Sequence, residues 1–244
     1  MNHSDNMAIE RWWQSPLGQL LLSVEREIMS QLDEPLPGYF FVQLGGSETC
    51  LPVVTNRACR QWRVGDSADL QAEPESLPFR TNSIDNLLLQ HVLERSRDPH
   101  QLLREAERVL AADGKMILCC FNPFSLWGLR RLFSWQDTAP WDGHFFSQTR
   151  VRDWLALLNF EVTEQHKILF RPPFRQRRWM QGSQFMERWG RRLWPMLGGV
   201  SVMVAAKRSL PLTPVRENWR KGRLFPTPGL VNKPLTREHN HGPR

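Results

Sequence analysis

The side chains best placed to do chemistry in this chain are Gln90, His91, Glu94 and Asn122. Gln90 and His91 close the apolar run IDNLLLQH, and Asn122 closes a second run, KMILCCFN. Polar groups just past the carboxyl ends of buried parallel strands stand where open α/β sheets bind their ligands. His91 fits three roles: a general base, a hydrogen bond to a ligand, or a partly buried histidine satisfied by its neighbours. Glu94, three residues on, can orient it. Asn122 fits a polar contact to a substrate, or a loop cap before Pro123. Other chemistries lack their motifs: there is no G-x-S-x-G, no Walker loop, no H-E-x-x-H and no zinc spacing. The four cysteines form no C-x-x-C, and the vicinal pair Cys119 and Cys120 lies in a strand, so reduced structural thiols are expected and no metal.

These residues need a frame, and the segment from Leu77 to Arg131 supplies it. Residues 84–90 are apolar on both faces. Asp98-Pro99 then starts a helix, with a carboxylate for free N–H groups and proline at the first helical position. Leu102, Leu103, Ala106, Val109 and Leu110 recur on one helical face, and Asp113-Gly114 is expected to end the helix. Residues 115–121 form the second strand. Strands apolar on both faces suit a parallel sheet covered by helices on each side. Earlier in the chain, residues 16–34 read as a helix capped by Ser15, residues 39–44 as a strand followed by Gly45-Gly46, and 61–64 and 69–72 as two weaker strands. Residues 148–158 read as a helix capped by Ser147, and 160–169 and 200–206 as two final strands, with a loop-rich stretch at 122–146.

The string LPF…IDNLLLQHVLE…DPHQLLREAERVL followed by DGKMIL resembles the second half of the type 11 group of class I S-adenosylmethionine-dependent methyltransferases, and FNPFSLWGLR is similar to an uncharacterised bacterial subgroup of it. The resemblance covers residues 36–208. It implies an α/β fold: a Rossmann-like methyltransferase sheet, mostly parallel with an antiparallel last strand, here truncated after the second strand. It implies S-adenosylmethionine as cofactor and methyl transfer to a small or lipophilic acceptor. The cofactor-binding residues it implies are Gln43, where the family has an acid, Gly45 and Gly46 in the glycine turn, Asp66 toward the ribose, Glu73 and Leu77 beside the adenine, and Gln90. Ser47 and Thr49 replace the later glycines. His91 and Asn122 are the implied catalytic residues. Methyl transfer needs little acid–base equipment, because positioning supplies much of the rate. Two other readings stay open: a methyltransferase-fold module without catalysis, and a nucleic-acid or membrane-surface binder acting through the basic C-terminal half.

Charge supports keeping that last reading. Residues 1–149 hold 13 Lys+Arg against 19 Asp+Glu, whereas residues 150–244 hold 19 against 6, within a net charge of +7. A basic half suits an anionic partner. Residues 171–197, rich in Arg, Trp and Met, carry Phe185, Met186, Trp189, Leu193 and Leu197 at helical spacing, which fits a helical lid, a packing face or a dimer contact. The expected organisation is an N-terminal helical segment (1–35), the α/β domain (36–208) and a basic, proline-rich tail (209–244) that should be poorly ordered. Trp127, Phe133, Trp135, Trp141 and Trp189 are expected to flank the acceptor cleft. No run approaches the ~20 apolar residues of a membrane helix, and MNHSDNMAIERWW is unlike a signal peptide, so a cytoplasmic location is expected.

Overall fold

The computed structural model describes residues 3–32, 36, 38–46, 60–65, 68–133, 139–173, 190, 192 and 194–208. In chain order the described elements are α1 (His3–Trp13), α2 (Pro16–Ser30), β1 (Phe40–Gly45), β2 (Arg60–Val64), β3 (Ile84–Gln90), α3 (Pro99–Val109), β4 (Leu110–Phe121), α4 (Leu126–Phe133), α5 (Gln148–Leu157), β5 (Phe160–Ile168) and β6 (Val200–Lys207), with a 3-10 turn at Pro195–Leu197. All belong to one compact unit, Met1–Ser209.

The strands form a single sheet in the order β2-β1-β3-β4-β6-β5. β1 pairs in parallel with β2 and β3, and β3 with β4; β6 runs antiparallel between β4 and β5. This is the expected mostly parallel sheet with an antiparallel last strand. The order reverses direction between β1 and β3, so the carboxyl ends of those two strands flank the topological switch point.

Alternation of side chains divides the core into two layers. Val42, Leu87, Leu89, Met116, Leu118 and Cys120 meet α3 and α5 through Leu102, Leu103, Ala106, Val151 and Leu155. Phe41, Leu88, Ile117, Cys119 and Phe121 meet α2 through Leu17, Leu21, Leu22 and Met29. Burial on both faces explains why the strands read as continuous apolar runs. The caps stand as the sequence predicts: Ser15 accepts from Gly18 N–H, Asp98 from His100 and Gln101 N–H, and Ser147 from Arg150 N–H. Cys119 and Cys120 are in no disulfide and are buried on opposite faces of the sheet.

Four expectations change. Residues 69–72 make no strand, only an isolated parallel bridge from Leu70 to Val64. The Asp69 carboxylate turns back to accept from Arg63 N–H at 2.9 Å, and this folds the chain before a ladder can extend. α3 ends at Val109, four residues before Asp113, because Leu110 becomes extended (φ −72°, ψ 131°) and pairs with Ile84. Within the stretch read as loop, α4 forms: Ser125 Oγ accepts from Gly128 N–H, and Gly128 leaves room for Pro123, whose carbonyl would lie 2.0 Å from any Cβ there. α1 also precedes the first expected helix. The helical pattern at 185–197 lies largely outside the described residues, as does the tail at 209–244.

Candidate functional site

At the carboxyl end of β1 the chain turns through Gly45 (φ +70°) and Gly46 (φ +75°). A Cβ on Gly45 would sit 2.4 Å from Val92 Cγ2 and 2.5 Å from the Gln90 carbonyl; on Gly46 it would sit 2.0 Å from Gln90 Oε1. Both the left-handed angles and the packing against the end of β3 therefore require glycine. Gln43, two residues before the turn, is fully buried on the α2 side of the sheet. Its Nε2 donates to the Gly45 carbonyl at 3.1 Å and to Gln90 Oε1 at 3.2 Å.

From there a chain of hydrogen bonds crosses the switch point. Gln90 Nε2 donates to Glu25 Oε2 at 2.6 Å, and Glu25 Oε1 lies 2.7 Å from His91 Nε2. His91 Nδ1 lies 3.3 Å from Glu94 Oε1, which also accepts from Phe121 N–H at 2.6 Å. Glu25, Gln43, Gln90, His91 and Glu94 are all buried. Glu25 is the member that sequence reasoning missed. It comes from α2, on the same face as Leu21, Leu22 and Met29, and an acid on the apolar face of an amphipathic helix was the available signal.

Burial pulls the His91 imidazole toward neutrality, but the charge of Glu25, the hydrogen bonds to both carboxylates and the charge of Glu94 outweigh it and raise the pKa to about 9. His91 is thus an imidazolium at neutral pH, donating from both nitrogens. The geometry buries His91 with both ring nitrogens partnered by carboxylates. Its backbone is left-handed (φ +52°), which costs about 1 kcal/mol for a residue with a Cβ, and its N–H is held by the Cys119 carbonyl at 3.0 Å. Burial, followed by the charges of Glu94 and Glu25, pushes the nearby Cys120 thiol well up.

The other sequence candidates that are described sit apart from this network. Asp66 lies outside the described residues. Glu73 is exposed, and its carbonyl closes a turn with Ser76 N–H at 3.0 Å. Leu77 packs into the core; its N–H donates to Glu105 Oε1 at 2.8 Å and its carbonyl accepts from Arg108 at 3.2 Å. The Arg108 hydrogen bond, against the effect of partial burial, holds the Glu105 carboxyl below its usual range. Asn122 is a clamp. Its Nδ2 donates to the carbonyls of Met196 and Gly198, both at 2.9 Å, and its Oδ1 accepts from Phe124 N–H at 3.1 Å. Trp127 and Trp141 are buried among aromatic neighbours: Trp127 stacks on Phe121 at 5.7 Å, and Trp141 tilts against Trp127 at 5.5 Å and Phe145 at 6.4 Å. The Phe133 side chain, Trp135 and Trp189 lie outside the described residues.

The residues present suit the methionyl end of the expected cofactor. Gln43 Oε1 is buried and accepts no hydrogen bond among the described residues. An unsatisfied acceptor beneath a glycine turn at a switch point is fitted by a donor group of a ligand, such as an ammonium. Among the described residues no cluster suited to a metal ion is present.

A family model described as "Methyltransferase domain" matches residues 38–118. The uncharacterized protein YafS of Escherichia coli (strain K12) is 31% identical over 234 residues, covering 93% of each chain. Among solved structures, a SAM-dependent methyltransferase from Thermotoga maritima superposes with a TM-score of 0.54 at 18% identity, over 82% of this chain and 94% of that one. The methyltransferase in complex with the Trm112 activator of Haloferax volcanii gives 0.54 at 18%, over 76% and 89%. The cyclase SpnF gives 0.53 at 13%, over 75% and 80%. A cyclase within this set means that the shared fold does not by itself fix the reaction. The match across β1, β3, α3 and β4, together with the full-length likeness to YafS, places the chain in the class I S-adenosylmethionine-dependent methyltransferase family.

Proposed function

We propose that this protein binds S-adenosylmethionine across the carboxyl ends of β1 and β3 and transfers its methyl group to a small-molecule acceptor. The observation that carries the reading is the buried, unsatisfied Gln43 Oε1 beneath the Gly45-Gly46 turn. When bound, the cofactor supplies a methyl group on an electrophilic sulfonium. Gln43 would accept from its methionyl ammonium, and the turn would let the backbone approach it closely. Gln90 holds Gln43 in place, and Glu25 holds Gln90. His91 carries its proton up to about pH 9, so it takes none from the acceptor near neutrality. Catalysis on this reading rests on positioning. The acceptor gains no aromatic wall from Trp127 or Trp141, which are spent on the core.

Calorimetric titration of the purified protein with S-adenosylmethionine and S-adenosylhomocysteine tests the reading. Micromolar binding of either supports it. Absence of heat at millimolar ligand, with the protein folded by circular dichroism, would refute it and favour a module that keeps the fold without the cofactor.

A further inference from the structure

The Glu25–His91–Glu94 cluster is more heavily built than a simple floor for a ligand needs. Two carboxylates share one imidazolium, leaving one negative charge uncompensated, in a place sealed from water on the α2 side of the sheet. Buried charge is costly unless paired, and the pairing is visibly incomplete. Glu94 Oε2 is buried and accepts no hydrogen bond among the described residues. A network that ends in an unsatisfied carboxylate oxygen and carries surplus negative charge is complementary to a cation.

We propose that this cluster selects the charge state of the ligand, favouring a sulfonium over the neutral thioether that remains after transfer. The inference rests on the cofactor reading above. Methyl transfer breaks the sulfur–methyl bond, returns its electron pair to sulfur and forms a bond from the methyl carbon to the acceptor, whose own proton, if it carries one, leaves to water. The ligand thereby loses its positive charge, and the surplus negative charge of the cluster no longer favours it. A fixed buried charge makes this distinction without moving, since the field inside a low-dielectric site is weakly screened. The same feature that draws the cofactor in would let the product go.

Glu94→Gln is the discriminating variant. Its Oε1 can still accept from His91 and Phe121 N–H, and its new amide takes the position of the vacant Oε2, so shape is kept while one charge is removed. Dissociation constants are measured for the wild type and the variant with S-adenosylhomocysteine and with sinefungin, an unreactive analogue with an ammonium in place of the sulfonium. The expected result is a loss of fivefold or more for sinefungin and less than twofold for the thioether. Equal losses for both ligands, or none for either, would overturn the selector while leaving the cofactor reading intact. Failure of the wild type to bind either ligand would overturn the cofactor reading and the selector with it. If Glu94→Gln does not fold, Glu25→Gln, which removes the other carboxylate, is read by the same ratio.

Discussion

Raising the pH should remove a defined part of the stability of this fold. The His91 imidazolium exists because Glu25 and Glu94 hold it, with a folded pKa of about 9 against an ordinary 6.5. A group whose pKa is higher in the folded state contributes its full stability below the unfolded value and loses it as pH climbs to the folded one. At about 1.4 kcal/mol per pH unit, the interval between those values corresponds to roughly 3 kcal/mol. This contribution is whole below pH 6.5, falls across pH 6.5–9 and is gone above it. The His91 side chain is 4% exposed, so solvent screening does not discount the figure much. The assay is urea unfolding at pH 6, 7.5, 9 and 10, with the His91 ring followed by NMR in the same samples. The expected free energy of unfolding falls by about 3 kcal/mol between the first and last points. A His91 ring that titrates at or below 6.5, or a stability flat across the window, would refute the reasoning.

Three further outcomes can be checked by the same unfolding assay. Gly46→Ala places a Cβ 2.0 Å from Gln90 Oε1 at φ +75°, so it should cost about 2–4 kcal/mol and break the Gln43–Gln90 bond. Asp98→Ala removes the acceptor for two N–H groups at the start of α3 and should cost about 1 kcal/mol. Asn122→Ala frees the carbonyls of Met196 and Gly198 together with Phe124 N–H; a cost of about 2–3 kcal/mol is expected, with faster proteolytic cleavage near residues 194–199.

Local signals made the fold readable where they agreed with one another. Around β3, α3 and β4 the apolar runs, the Asp98-Pro99 start and the helical spacing all point the same way, and the structure follows them. They failed where a tertiary partner decided. Leu110 continues the helical stripe, yet it leaves α3 because β3 offers it a ladder partner. Gly128 argues against a helix, but close packing against Pro123 makes glycine the residue α4 needs. The site was half legible. Gln43, Gly45, Gly46, Gln90 and His91 come together as their positions at strand ends imply, whereas Glu25 is joined to Gln90 and His91 only by the docking of α2, across 65 and 66 residues of chain. Asn122, Trp127 and Trp141 were polar and aromatic at the right address, but in the structure their contacts are made within the protein.

The two adjacent thiols of β4 face opposite layers of the core, both are buried, and that of Cys120 is held protonated by its surroundings. Both side chains are shut away from solvent, so neither is alkylated while the sheet is closed. Cys119 reports on the α2 layer and Cys120 on the α3–α5 layer, which makes the pair a native clock for opening on each side. If both are modified at one rate, the two layers part together. If Cys119 reacts first, the N-terminal helices lift from the sheet while the remainder stays folded, and Glu25 leaves His91 with them.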